Sequence, residues 1–400
     1  MHVLGRSSTT ICAAAGLALG VSLVTTGPAQ AHGHARHHHY RHHHAIYVAP
    51  DGGGSSAEPA KKGRRWGSCR HAAFSDIQAA VEAAPSGGTV IVCRGRYAQS
   101  VTVDKPLTLA GRHGAVIDAT GEGWGVGVTA SWTTIRGLTV VNASGDDPNL
   151  PYDGIITAGF TETGPTPADH VTIEHNVVRG NQGSGIDLNS TSHSLARFNV
   201  AVENGVGINV SDDLGAPAVG NRVSFNVTDR NFGGCGIALA DHTGAGVVRT
   251  IVWGNISDDN GLSTPTAPDA SAGSGVILAS PIPGGIVRNN LISHNEFHGN
   301  GHGGVVVHSH VPSTPGVPDS DFSGNRVLRN VIGTNNLRTD TSDPETTGIY
   351  LGSATPMSIR IWGNRIHDNT YGIFTAGDVT VSGHNRFIRV ATHQTGVPTY

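Results

Sequence analysis

Short glycine-led strand motifs recur along most of the chain. Each has Gly, then Ile or Val, then any residue, then an apolar residue or Thr, and an earlier variant, "GVGV", starts at Gly125. A unit this short cannot bury a hydrophobic face alone, so successive units must stack on one another. The motifs start at Gly154, Gly185, Gly207, Gly236, Gly275, Gly304, Gly348 and Gly372.

Pairs of asparagines five residues apart run in phase with these strands. Asparagine tolerates left-handed backbone angles and hydrogen-bonds neighbouring backbone groups, so one at the same bend of every turn would stack as a ladder. Short strands and a period of roughly 22 to 44 residues predict a solenoid. The pairs are Asn176 and Asn181, Asn199 and Asn204, Asn226 and Asn231, Asn255 and Asn260, Asn295 and Asn300, and Asn364 and Asn369.

Strand alternation predicts which side chains point out of the solenoid. In "GIDL", Ile186 and Leu188 face the core and Asp187 faces outward. The first predicted outward column is Ile156, Asp187, Asn209, Ala238, Ile277, Val306, Tyr350 and Phe374. The second is Ala158, Asn189, Ser211, Ala240, Ala279, His308, Gly352 and Ala376.

The segment "FSDIQAAVEAAPSGGTVIVCRGRYAQSVTVDKPLTLAGRHGAVIDATG" (74–121), followed by Asn-rich coils, resembles secreted right-handed parallel β-helix proteins of the pectin-lyase-like superfamily. The resemblance runs from residue 46 to the end. It implies an all-β fold, a single-stranded right-handed parallel β-helix of about 9–11 coils. It also implies a short N-terminal capping helix in "SDIQAAVEAA". The apolar stripe of that helix would be Ile77, Ala80, Val81 and Ala84.

Four segments follow from the chain's composition. Arg6, the apolar run "ICAAAGLALGVSLV" and the "AQA" ending at Ala31 predict a signal peptide over 1–31, hence a secreted, extracellular protein with no membrane span after cleavage. Residues 32–45 are a His-rich leader, expected to be disordered. Residues 46–122 should hold the cap helix and first coils, and 123–400 the β-helix repeats.

Cys69 and Cys93 lie at the two ends of one short helix-to-strand unit. Export would place the chain in an oxidising compartment, where disulfides form and persist. The two cysteines are therefore predicted to form a disulfide bond.

An acidic cluster follows the strands of neighbouring coils. "SDD" comes after "GINV", and "ADH" stands at the matching place one coil later. Parallel strands stack about 4.8 Å apart, so these side chains should meet. Clustered carboxylates raise one another's pKa, and glycosidases need such a pair roughly 5 to 9.5 Å apart. The predicted catalytic residues are Asp187, Asp212, Asp213, Asp241 and His242.

Two other interpretations of this cluster stay open. Aspartates are common in turns where strands end, so the residues could be structural. They could also bind Ca²⁺ or another divalent cation, although no cofactor is certain from the sequence.

Further polar and aromatic side chains on the same face are candidates for substrate contact. His308 and His310, two apart on one strand, supply only two ligands, whereas zinc generally takes three or four. No metal site is therefore assigned, and His302, His308 and His310 remain possible ligands. The predicted substrate-binding residues are Asn189, Asn209, His308, His310 and Tyr350.

The resemblance implies a site for acidic polysaccharides on the outer face of one parallel sheet. Polygalacturonase-type hydrolases carry a similar "DD" pair, then Gly-His-Gly and Arg-x-Lys; here "GHG" at 301–303 comes three coils after "SDD", and no Arg-x-Lys follows. The lysines all precede the repeats, so a lyase would need Arg, His or Tyr as its base. The Asp-Pro-His-type motif of alginate epimerases is also absent.

The most favoured function is a secreted polysaccharide hydrolase, ahead of a lyase. One alternative is a non-catalytic carbohydrate- or surface-binding repeat protein. The other is a metal-handling protein similar to the β-helix proteins of copper maturation. A net charge of -4 argues against a nucleic-acid partner. The chain is expected to be a monomer.

Overall fold

The structure is a computed structural model that describes residues 45–51, 67–161, 164–262, 273–309, 311, 315–338 and 345–397. The predicted signal peptide (1–31), almost all of the His-rich leader and His310 lie outside the described residues. Within the described part of the chain, no helix is long and apolar enough to cross a bilayer.

Three parallel sheets form the walls of the molecule, and each coil contributes one strand to each wall. The first sheet stacks eleven strands within the described residues. They are Val101–Val103, Trp124–Val128, Asp153–Ile156, Ser184–Asn189, Val206–Ser211, Ile237–Ala240, Val276–Ser280, Val305–Ser309 and parts of the long final strands Thr347–Trp362, Arg365–Ser382 and Arg386–Val397.

The second and third sheets carry the chain back to the start of the next coil. The second sheet contains Ile46–Val48, Thr89–Val92, Thr108–Gly111, Thr134–Arg136, Thr172–Glu174, Leu195–Arg197, Arg222–Ser224, Ile251–Trp253, Leu291–Ser293, Arg326–Leu328 and the end of Thr347–Trp362. The third sheet contains Gly95–Ala98, Ala115–Asp118, Thr139–Val141, Val177–Arg179, Val200–Val202, Val227–Asp229, Ile256–Asp258, Glu296–His298, Val331–Ile332 and the starts of the last two strands.

The coils also contain two small additional sheets. Ala158–Thr161 and Gly164–Pro167 form an antiparallel hairpin. Ala218–Val219, Val247–Val248 and Val287–Arg288 form a short parallel sheet in three consecutive coils.

The register of the first sheet confirms the first predicted column throughout and the second predicted column from Asn189 onward. Ile156 pairs with Asp187, which pairs with Asn209, and the column continues to Phe374. Ile186 and Leu188 are fully buried in the core, so alternation turns Asp187 outward. The all-β parallel solenoid predicted from the repeats is therefore confirmed.

The repeated glycine has a steric cause. It lies at the bend between the third and first sheets, where a Cβ on Gly275 would stand 2.5 Å from Phe297 Cδ1 and a Cβ on Gly154 would stand 2.1 Å from Val178 Cγ1. Those are core side chains, so any larger residue would displace packed atoms. The recurring glycine thus sets how tightly each coil turns.

The paired asparagines form two buried ladders, as predicted. In the first, Asn199 accepts a hydrogen bond from the Asn176 backbone N–H at 3.0 Å and from its Nδ2 at 3.1 Å. The second runs in the same way, with Asn181 Nδ2 donating to Asn204 Oδ1 at 2.7 Å. The first ladder also includes Asn330, and the second includes Asn335, which follows five residues later. This pair was not among those predicted from the sequence.

The expected backbone angle of these asparagines was wrong. The left-handed residue is the one just before each asparagine, for example Phe198 (φ 54°) before Asn199 and Phe225 (φ 57°) before Asn226. The amide needs an ordinary backbone angle to lie along the stack, so the preceding residue makes the turn.

The N-terminal cap helix is Ile77–Ala83. Asp76 caps it, with its side chain accepting the Ala79 N–H at 2.7 Å. The predicted apolar stripe is confirmed, because its residues are buried against the first strands and close the open end of the core. These residues are Ile77, Ala80, Val81 and Ala84.

The predicted disulfide is confirmed. Cys69 and Cys93 are bonded to each other. They are 24 residues apart in the sequence, and the cap helix lies between them. Cross-linking a loop of this length lowers the entropy of the unfolded chain.

We expect the C69S/C93S double variant to lose about 3 kcal/mol of unfolding free energy, the loop-entropy value for this separation. Guanidinium denaturation followed by circular dichroism measures it. The neighbouring S68A substitution serves as the control and should leave stability unchanged. Equal stability of C69S/C93S and S68A would show that the bond contributes nothing to the cap.

Candidate active site

Asp187 is the centre of a polar cluster on the outward side of the first sheet. Its carboxyl accepts hydrogen bonds from Asn189 Nδ2 at 3.1 Å and Asn209 Nδ2 at 3.0 Å. Burial, followed by the Asp213 charge, raises the pKa of Asp187, and the two amide donors only partly oppose the shift, so the net pKa is about 7. Asp187 can therefore hold a proton near neutral pH.

Asp213 and His242 form an ion pair one coil further along. Asp213 Oδ1 contacts His242 Nδ1, and Ser211 Oγ donates to Asp213 Oδ2 at 2.9 Å. Burial lowers the pKa of His242, but the Asp213 hydrogen bond and charge outweigh it, so the net shift is upward. Asp213 therefore has a basic partner on the following coil.

Asp153 is a third carboxyl of this cluster, and it was not among the catalytic residues predicted from the sequence. It lies one coil before Asp187, where Ser184 N–H donates to its Oδ1 at 2.5 Å. Burial and then the Asp187 charge raise its pKa well above the ordinary value. The sequence did contain a signal for this residue. The residue just before the motif glycine is uncharged in the other coils, whereas here it is Asp153.

Asp212 and Asp241 lie beside this cluster but hold turns together. Asp212 accepts N–H donors from His242 at 2.7 Å, Ala245 at 2.9 Å and Gly246 at 3.0 Å. Burial raises the pKa of Asp212, yet the Asp241 hydrogen bond and the backbone donors lower it overall. This is the arrangement expected of an ionised aspartate inside a turn.

Asp241 is the protonated partner of Asp212. Burial and contact with Asp212 raise the pKa of Asp241 to about 7. Its carboxyl accepts the Gly244 N–H at 2.7 Å and also the Ile286 N–H, so it joins two neighbouring coils.

The structure divides the predicted substrate-binding residues. Asn189 and Asn209 touch Asp187, whereas His308 lies three coils beyond Ser211 in the second column, about 14 Å away by stacking. His310 lies outside the described residues.

Tyr350 belongs to an aromatic group far from the carboxylates. It is 5% exposed and packs edge-on against His302 at 4.9 Å and His308 at 5.9 Å, with Phe374 stacked at 6.0 Å. In the part of the chain that the structure describes, no three His, Cys, Asp or Glu side chains are arranged to hold a metal ion. The metal and substrate roles of these histidines and of Tyr350 stay predictions.

The cluster places two carboxyls in different surroundings on adjacent coils. Asp187 has a neutral, amide-lined site, and Asp213 has a cationic partner. Pairs of titratable groups whose surroundings separate their pKa values are suited to acid–base catalysis. The arrangement can donate a proton from one coil while a carboxylate on the next coil accepts one.

The raised pKa of Asp187 predicts a pH-dependent stability difference between wild type and D187N. A carboxyl with a raised folded pKa stabilises the fold below its unfolded pKa, and that contribution disappears as pH rises through about 7. Asparagine mimics the protonated acid at every pH. D187N should therefore match wild type at pH 4 and exceed it at pH 8, by on the order of 2–4 kcal/mol.

Urea denaturation at both pH values measures this difference. The matched control is D104N, since Asp104 is exposed at the turn after Val101–Val103. An unchanged offset between D187N and wild type from pH 4 to pH 8 would contradict a raised pKa.

Comparison with solved structures shows the same architecture, a parallel β-helix. The chain resembles the pectate lyase Pel9A, with 15% identity and a TM-score of 0.51 over 85% of this chain and 76% of that one. It also resembles a GH136 lacto-N-biosidase from Eubacterium ramulus, with 11% identity and a TM-score of 0.51 over 87% and 68% of the chains.

A third similar structure is PfbA, a surface adhesin of Streptococcus pneumoniae, with 14% identity and a TM-score of 0.50 over 80% of this chain and 86% of that one. Identities this low establish the fold alone. No protein-family profile matches the chain, and no curated protein matches its sequence.

Proposed function

We propose that the protein is a secreted polysaccharide hydrolase whose active site is the Asp153, Asp187, Asp213 and His242 cluster. The observation that supports it is that a carboxyl with a raised pKa, Asp187, and a carboxyl paired with an imidazole, Asp213, lie on neighbouring coils of one sheet. Glycoside hydrolysis needs these two carboxyl roles. The names of the similar structures, a pectate lyase and a lacto-N-biosidase, agree with a carbohydrate substrate.

Asp187 is the proposed general acid. Its proton is retained near pH 7 and would pass to the glycosidic oxygen of the leaving sugar. The amide groups of Asn189 and Asn209 hold the carboxyl from two sides, so its direction is set before substrate binds.

Asp213 is the proposed base that accepts a proton from the attacking water. His242 orients it and stabilises its charge, and Ser211 fixes the second oxygen. While Asp153 stays protonated, it adds no second negative charge beside Asp187. Asp212 and Asp241 are left out of this mechanism because their carboxyls are occupied by turn N–H groups.

Secretion is part of the proposal. It is supported by the Cys69–Cys93 disulfide, since such bonds persist mainly in oxidising compartments.

A polysaccharide panel tests the proposed reaction. Polygalacturonate, alginate, xylan and dextran are each incubated with the protein, and new reducing ends are measured together with ultraviolet absorbance of unsaturated products. Reducing ends without absorbance support hydrolysis. Absorbance with the reducing ends indicates a lyase, and neither product on any polymer would favour the non-catalytic binding function.

The pH profile adds a second criterion. Activity should fall as pH rises through about 7, because Asp187 then loses the proton that it must donate. Initial rates from pH 4 to pH 9 on the best substrate measure this limb. A rate that keeps rising above pH 8 would exclude Asp187 as the acid.

A further inference from the structure

Stacked aromatic side chains line the outer bend between the second and third sheets. We call His175, Phe198, Phe225, Trp253 and His294 the aromatic stripe. His175 and Phe198 stack with ring centroids 5.1 Å apart, and Phe198 and Phe225 stack at the same 5.1 Å. Trp253 continues the row at 4.6 Å from Phe225, and its Nε1 donates to His294 Nδ1 at 3.0 Å.

The stripe is exposed. Phe198 and Phe225 keep 42% and 41% of their surface open, so the rings contribute little to the core. Their backbone is left-handed, a conformation in which bulky residues are rare, whereas the matching bend of other coils has Gly137 or Gly363. Glycine would make this turn without strain, so the rings are not needed for the turn itself.

The sheet next to the stripe is basic. The two outward columns of the second sheet contain five arginines, and among their described residues the one carboxylate is Glu174. Two of the guanidinium groups face the stripe, Arg197 at 5.9 Å from the Phe198 ring and Arg222 at 5.5 Å from the Trp253 ring. The arginines are Arg136, Arg197, Arg222, Arg326 and Arg360.

Part of this positive charge is uncompensated. Arg197 pairs with Glu174, but Arg136 and Arg222 form no ion pair with any described residue. A shallow hollow of about 380 Å³ adjoins the stripe at His175, and Arg112 and Arg136 line it. The stripe and hollow thus form one continuous surface of rings and guanidinium groups.

We propose that an acidic polysaccharide chain binds along the aromatic stripe, on a different face from the carboxylate cluster. Ring faces bind the apolar faces of sugars, and guanidinium groups bind carboxylates with two parallel hydrogen bonds. The rings recur in successive coils, and arginines accompany them at Arg197 and Arg222, so a polymer with carboxylates along its length could meet both features. The proposal stands independently of the proposed hydrolysis, since the stripe contains none of its residues.

A second stack supplies the control. Trp132, His170 and His193 stack at the bend between the first and second sheets, with Trp132 69% exposed and also left-handed (φ 65°). No arginine faces these rings among the described cation–ring contacts. W132G therefore removes an even more exposed ring from the same type of turn.

The test is isothermal titration with polygalacturonate in the D187N background, where cleavage cannot disturb the measurement. F198G/F225G should weaken binding about tenfold or more, since each ring loses a stacked sugar and Phe198 also loses its contact with Arg197. W132G should bind like its parent. Unchanged affinity of F198G/F225G, or an equal loss in W132G, overturns the proposal.

Further probes separate charge from stacking. Polyglutamate should bind at least tenfold more weakly than polygalacturonate, and dextran should not bind measurably, because each lacks one of the two features. Equal binding of polyglutamate or of dextran contradicts the proposal. If F198G/F225G does not fold, R136Q/R222Q replaces it, and an affinity and salt dependence unchanged by R136Q/R222Q also contradict the proposal.

Discussion

The D187N variant should hydrolyse the best polysaccharide substrate about 10²–10⁴-fold more slowly than wild type, the usual contribution of a positioned general acid. Asparagine keeps the size of the side chain, and its oxygen can still accept from one of the two neighbouring amides, Asn189 or Asn209. Rotation of the other amide would present its oxygen to the new NH2 group, so the fold should be retained. What it lacks is a proton that can leave. The effect should therefore appear in kcat rather than in KM.

Initial rates of reducing-end release measure this loss, with circular dichroism to verify the fold. The D104N variant, which replaces an exposed aspartate in an early coil, should keep full activity. A substrate with a good leaving group, such as a nitrophenyl glycoside, should be cut by D187N at a much larger fraction of the wild-type rate, because it needs no acid. D187N activity within threefold of wild type on the polymer would remove Asp187 from the mechanism.

The N226A variant should lose about 3–5 kcal/mol of unfolding free energy, a severe loss for a single site. Asn226 is 1% exposed, and its Oδ1 accepts from the Asn199 N–H at 2.9 Å while its Nδ2 donates to the Ala196 carbonyl at 3.0 Å. Alanine would leave both backbone groups buried without a partner. Each such group costs about 1–3 kcal/mol.

Asn385 provides the matched control, because it has the same role at the end of the ladder. It accepts from Asn364 at 3.1 Å and is only half-buried, so water can replace its amide in N385A. Urea denaturation of both variants should show a much smaller loss for N385A. Equal losses would mean that burial of the ladder does not determine its energetic weight.

The scaffold is readable from the sequence because its determinants are local and periodic. A glycine at every tight bend, an amide at every ladder position and alternating core residues such as Ile186 and Leu188 each recur once per coil. Stacking then converts this periodicity into columns, so the pairing of Asp187 with Asn209 follows from counting. The cap helix and the disulfide follow for the same reason, since their residues are close along the chain.

The candidate site was only partly readable. The sequence placed Asp212, Asp213, Asp241 and His242 together, but it did not distinguish a carboxylate that a turn uses from one that faces outward. That difference depends on which N–H groups point at each oxygen, and Asp212 receives several of them whereas Asp213 receives His242. Asp153 was missed because it begins its strand, ahead of the motif glycine, instead of following the strand.

By itself, then, the sequence determined the solenoid, its columns and the strip of the first sheet on which carboxylates gather, because a repeat carries that information in its period. Tertiary structure decided the charge states and the surfaces. Burial and neighbouring coils raise the pKa of Asp187, and arginines from separate coils lie beside Phe198 and Trp253. Those properties depend on distances across coils, which no single stretch of the chain contains.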